Sequence, residues 1–148
     1  MRVGLLRALS LLTRRRSSTI SSEFVNDTSS RWVFSGDWSE LSDPVLASQP
    51  SQTYHVSTTR GNTASISFRG SAVSITGVRN VTNGHYNVTL DGTSTMFDGH
   101  SDWLETSVLF LQAGLNEETP HSLIITNADD ASLAIVGVNI THITGGTV

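Results

Sequence analysis

The chain has no cysteine and no lysine. Without thiols, no disulfide can staple the fold and no thiolate can hold zinc. Long apolar runs are missing too. Nothing approaches the roughly 18–20 residues that carry a helix across a bilayer, so no membrane span is expected. Positive charge is scarce beyond the first residues. From Glu23 onward only Arg31, Arg60, Arg69 and Arg79 face thirteen carboxylates, a surplus that repels phosphate backbones and argues against a nucleic-acid partner. Apolar residues make up 37 %, too few for a sheet enclosed on both sides but enough for antiparallel layers with wet outer faces. The 148 residues suit one domain that buries roughly two-thirds of its unfolded surface. No pattern bears on oligomeric state.

Residues 1–22, "MRVGLLRALSLLTRRRSSTISS", contain no acid and are rich in Arg, Leu and Ser. They read as a targeting segment or a flexible, disordered basic tail ahead of a domain at 23–148. Val3 to Leu12 has the apolar character of a secretory signal, although Arg7 interrupts it and Arg14-Arg15-Arg16 stands where small residues prepare cleavage. The same composition fits a mitochondrial presequence. The rest of the chain favours a secreted or cell-surface protein. Four N-x-[ST] sequons mark Asn26, Asn80, Asn87 and Asn139 as N-glycosylation candidates. Asn87 and Asn139 each stand between apolar residues of predicted strands and so project to the wet face, while Asn80 falls in a loop. A glycan there would leave the interior undisturbed.

What is abundant is alternation. In "GNTASISFRGSAVSITG" (61–77), Ile66 and Phe68 alternate with Ser and Arg, and after Gly70-Ser71 the pattern resumes with Val73 and Ile75 inward. Similar segments recur at 31–38, 53–59, 85–97, 107–113, 121–127 and 131–143. Asp91-Gly92 marks a two-residue hairpin turn, residues 53–59 read as an edge strand, and 39–52, with Pro44 and Pro50, as a connecting loop. About eight short strands without crossover helices predict an all-β antiparallel sandwich or jelly roll. Its core would take Ile66, Phe68, Val73, Ile75, Tyr86, Val88, Leu90, Leu109, Leu111, Leu123, Ile125, Val136, Val138 and Ile140. Trp32 and Trp38 are expected in the core as well.

The pieces "FSGDW", "GNTASISFRGSAVSITGVRN", "GHYNVTLDG", "VLFLQAGL" and "HSLIITNAD", in that order, resemble the galactose-binding-like jelly-roll modules of fungal secreted and surface-anchored proteins. The resemblance spans about residues 31–140. It departs at the last strand, where such modules read Leu-x-Leu-Asp-Tyr and this chain has Val136 and Gly137 in place of the acid and the aromatic. The resemblance implies non-catalytic attachment, often to sugars.

Candidate chemistry is concentrated in "DGHSDW" (98–103). Asp98, His100 and Asp102 could hydrogen-bond sugar hydroxyls or hold a hard cation, and Trp103 beside them offers a flat face for a sugar ring. The alternatives are a polar turn and a buried tryptophan anchoring the core. Asp129 and Asp130, in "NADD", form an acidic turn where a structural calcium would fit. No other cofactor is expected. The histidines show no metal-binding spacing and no G-x-S-x-G elbow is present, so an enzyme is not expected, a hydrolase being the less favoured alternative. The expected role is a carbohydrate-binding module for glycan or cell wall. A structural or adhesion glycoprotein domain and a hydrolase accessory domain stand as alternatives, and the former predicts that Trp103 is buried.

Overall fold

The computed structural model describes residues 18–42 and 53–145, with no helix among them. Eleven strands are formed: β1 (Thr19–Asn26), β2 (Val33–Ser35), β3 (Trp38–Ser42), β4 (Thr53–Ser57), β5 (Thr63–Phe68), β6 (Ala72–Arg79), β7 (His85–Leu90), β8 (Thr93–Asp98), β9 (Glu105–Gln112), β10 (His121–Asn127) and β11 (Leu133–Thr144). One sheet runs β3-β4-β11-β6-β9, with β1 also on β11; the other runs β2-β5-β10-β7-β8. Neighbouring strands are antiparallel throughout.

The period-2 pattern explains the layers. Ala64, Ile66 and Phe68 of β5, Val73 and Ile75 of β6, Tyr86 and Val88 of β7, and Leu123 and Ile125 of β10 are all buried between the sheets. Leu123, Ile125, Ile135 and Ile140 have essentially no exposed surface. Each such side chain contributes about 1.5–3 kcal/mol by leaving water. Asp91 and Gly92 both take positive φ, 50° and 86°, the geometry an Asp-Gly hairpin turn requires.

Six expectations need correction. Among the described residues there are eleven strands rather than about eight, because β1 and β3 form where the pattern is not apolar. Thr19 to Ser22, assigned to the N-terminal segment, open β1 and pair with β11; residues 1–17 lie outside the described residues. Ser39 to Ser42, assigned to a loop, belong to β3, and residues 43–52 of that loop also lie outside. β3 in turn covers β4, so 53–57 is an internal strand and not an edge.

The remaining two corrections come from bulges, each of which reverses the side-chain phase. In β11 the register slips between Ile135 and Gly137. Ile135 and Val138 therefore both enter the main core, while Val136 is buried on the other side with Val78 and Ala134. In β9 a slip beside Leu109 leaves Phe110 against the core and Leu111 outside, 67 % exposed. The tryptophans follow expectation: Trp32 is buried and Trp38 is half-buried on Phe34.

Candidate functional site

The turns β2–β3, β4–β5, β6–β7, β8–β9 and β10–β11 gather at one end of the sandwich. Their base is a buried amide network. The Asn127 side chain donates to Ser57 Oγ (3.1 Å) and to the Ala131 carbonyl (2.8 Å), and its Oδ1 accepts from the Asp129 N–H. Asn62 donates to Ser57 Oγ and to the Asp37 carbonyl, both at 2.9 Å. Three turns, β2–β3, β4–β5 and β10–β11, are thereby fastened to one buried serine hydroxyl and the amides around it. Buried polar groups satisfied in this way hold their loops in place.

The β8–β9 loop, at the same end, is held instead by β6 and the β6–β7 turn. Arg79 reaches from β6 to the carbonyls of His100 (2.8 Å) and Asp98 (3.4 Å), and lies 3.8 Å from the Glu105 carboxylate. The Gly99 N–H donates to the Gly84 carbonyl and the Ser101 N–H to that of Asn80. Asp98 Oδ1 accepts from the His100 N–H, and Ser101 Oγ from the Trp103 N–H. A loop with this many fixed points presents its side chains in set directions.

Asp98, His100 and Asp102 stand near one another, and Trp103 follows on the same loop. Trp103 is 76 % exposed, so it is not a core anchor. Asp102 is more open still and stands 4.0 Å from the His100 ring, which is itself half exposed. Asp98 is exposed and lies 4.0 Å from His85 Nε2. Beside the loop is a groove of about 260 Å³, lined by Leu41, Tyr54, Val56, Val78 and Leu104 together with Asn80 and Asn83. Neither the groove nor Arg79 is legible in the sequence. The groove draws on strands far apart in the chain, and "VRN" carries no signal.

Asp129 and Asp130 do not fit a calcium shell as arranged. One Asp129 oxygen accepts from both the His85 N–H (2.7 Å) and Nδ1 (2.8 Å), the other lies 3.8 Å from Arg60, and Asp130 accepts from the Arg60 N–H. Among the described residues no three His, Asp or Glu side chains converge as a metal site. The His85 bonds, the backbone one first, hold the Asp129 carboxyl below its usual range. In return the Asp129 bond raises the His85 imidazole above its ordinary value.

A buried Asp27 escaped the sequence reading. It accepts from Thr53 Oγ1 (2.6 Å) and meets His55 Nδ1 at 2.7 Å, while the His55 ring stacks on Phe34 with centroids 4.0 Å apart. No serine hydroxyl meets a histidine among the described residues; Ser71 donates to Glu117, and it is Glu117 that holds His142. The sequons differ among themselves. Asn26 Oδ1 accepts from Thr28 and Thr53, Asn80 Oδ1 accepts from the Val81 N–H, and Asn87 is half-buried in β7. Asn139 is exposed on β11.

No protein-family model matches this sequence, and no curated protein matches it. Solved structures match in fold. A family two carbohydrate esterase from Cellvibrio japonicus superposes with a TM-score of 0.60 at 12 % identity, over 88 % of this chain and 37 % of the esterase. A two-domain esterase active on acetylated mannans, co-crystallised with mannopentaose, gives 0.60 at 15 % identity over 82 % of this chain and 36 % of its own. The chain thus spans little more than a third of either esterase. A family 35 carbohydrate binding module from Clostridium thermocellum is similar over 81 % of this chain and 97 % of the module, with a TM-score of 0.53 and 12 % identity. What the three share with this chain is the fold alone.

Proposed function

We propose that this chain is a non-catalytic carbohydrate-binding module, secreted or displayed at the cell surface, that takes glycan across its loop end. The observation that carries this reading is Trp103, three-quarters exposed on a loop pinned by Arg79. Exposing an indole costs hydrophobic free energy that a core position would recover. A sugar ring repays that cost by laying its flat C–H face on the indole. Asp102 and His100 then take the hydroxyls at the ring edge, and the groove beside Leu104 receives the adjoining residue. Asp98 supports His100 through its backbone N–H and leaves its second oxygen toward His85.

The neighbours in fold support the reading, since they include a carbohydrate binding module and a sugar esterase crystallised with an oligosaccharide. A purely structural or adhesion domain would bury Trp103. A shallow site binds weakly one at a time, so repeated display supplies avidity.

The test is affinity electrophoresis in soluble mannan, xylan and β-glucan, together with a glycan array probed with a multimerised protein. Wild type is expected to be retarded by at least one polysaccharide, and Trp103→Ala to lose at least tenfold in affinity. If the multimer binds no glycan and the monomer none at millimolar ligand, the reading fails. N-terminal sequencing of the mature protein checks secretion, with loss of the Arg-rich start as the expected result.

A further inference from the structure

Asn139 has an unusual setting. Its row across the outer face of the larger sheet runs Leu111 (β9), Ser74 (β6), Asn139 (β11) and Phe24 (β1), each the register partner of the next. Directly opposed residues on antiparallel strands point to the same side, with Cβ atoms about 5 Å apart. Phe24 is 47 % and Leu111 67 % exposed, so the exposed amide stands in a gap between two apolar side chains that water meets at a cost. The Phe24 ring is held in place. A Cβ on Gly137 would come within 2.6 Å of its Cζ, so the ring lies over Gly137, two residues before Asn139. That glycine is what lets the phenyl ring come this close to β11 beside the sequon.

We infer that Asn139 carries an N-glycan whose first N-acetylglucosamine stacks on Phe24 and covers the apolar row between Phe24 and Leu111. The occupant is set by the chemistry of the row. Asn139-Ile140-Thr141 is an acceptor triplet, and Thr141 lies on the same face two residues on. The phenyl ring offers the flat apolar partner that the C–H face of a pyranose fits. Attachment uses a lipid-pyrophosphate-linked oligosaccharide: the Asn139 amide nitrogen forms a bond to the anomeric carbon, the bond from that carbon to the pyrophosphate oxygen breaks, the lipid pyrophosphate leaves with the electron pair, and the nitrogen loses one proton. Asn26, Asn80 and Asn87 lack this setting, being tied by hydrogen bonds or half-buried.

The test uses the full chain exported from a glycosylating host. Peptide mass mapping is expected to find carbohydrate on Asn139. Trimming with endoglycosidase H to one N-acetylglucosamine should leave the Tm unchanged, whereas complete removal should lower it by roughly 2–4 °C, the size of one such contact in a chain of this length. Phe24→Leu keeps apolar cover over Gly137 without an aromatic face, and in that variant glycan removal should not change the Tm. Equal shifts in both backgrounds, or none in either, overturn the inference. So does an unmodified Asn139 peptide in exported protein, whether the face is then open or taken by a second copy.

Discussion

The two ends of the sandwich use the same chemistry, an imidazole against a carboxylate, to opposite effect. At the end away from Trp103, His121 is buried and meets Asp91 at 2.6 Å through Nδ1 and the Asn116 carbonyl at 2.7 Å through Nε2. Both partners are acceptors, so both ring nitrogens donate and the ring is an imidazolium. His142 lies likewise between Glu117 (2.6 Å) and Glu23 (3.4 Å), and Glu117 also accepts from Ser71. Arg69 caps the Glu118 carbonyl. The principal carboxylates there are committed to joining turns. At the Trp103 end one such pair, His85 with Asp129, also ties β7 to the β10–β11 turn, and Asn127, Ser57 and Asn62 fasten others, but the outermost groups, Asp102, His100 and Trp103, stay exposed. Polar groups joined to each other staple a fold, whereas polar groups held up by a separate network remain available to a ligand.

This contrast can be broken most strongly at its base. Asn127→Ala leaves the Ala131 carbonyl and the Asp129 N–H without this partner, and unfolding in urea is expected to show a loss of about 2–3 kcal/mol. Sugar binding should weaken with it, since the turns lose their shared anchor. His121→Ala opens the other end and is expected to cost about 1–2 kcal/mol, with binding at the Trp103 end unchanged. A change in binding there would show that the two ends are not independent.

The pH profile sharpens the comparison further. His121 is raised even though burial opposes it, because the Asp91 and Asn116 bonds outweigh that penalty; His142 is raised chiefly by Glu117. Their stabilisation is complete below about pH 6.5 and is lost as pH rises through the folded values. Asp91, held down mainly by the Ser122 N–H, and Glu117, held down mainly by His142, contribute above their ordinary 3.8 and 4.5 and lose that contribution as pH falls through the folded values. Thermal melts are therefore expected to peak between about pH 4.5 and 6.5. His121→Ala should flatten the alkaline limb. A Tm that climbs steadily to pH 8 contradicts the stapled-end description.

The smallest effect on stability belongs to the residue with the largest expected effect on binding. Trp103→Ala is expected to change unfolding free energy by less than about 0.5 kcal/mol, as an exposed side chain should. Its Tm against that of wild type is the check.

The alternation in 63–69, 72–78 and 121–127 was enough to place Ile66, Val73, Ile75, Leu123 and Ile125 in the core, because burial of one face follows directly from period 2. Asp91-Gly92 set its own turn, since few dipeptides accept two positive φ values so readily. The "DGHSDW" cluster was legible as one group because its members are neighbours in the chain, but the sequence left open whether Trp103 faces water or the core, and the structure decided it. Leu111 and Val136 were misplaced for a shared reason: a bulge depends on how two strands meet, and neither strand records it alone. β1 and β3 were missed because their apolar content is low and their pairing comes from β11 and β4.

The amino-acid sequence by itself determined that strands would form, which side chains would seek the interior in most of them, and where the chain would turn. Those outcomes depend on residues a few positions apart. Only the tertiary structure decided that Arg79 would pin the Trp103 loop, that Asn127 would tie its own turn to Ser57 at the end of β4, and that Phe24 would lie beside Asn139. Each of these joins residues tens of positions apart in the chain, and such contacts exist only once the sheets have paired and closed on each other.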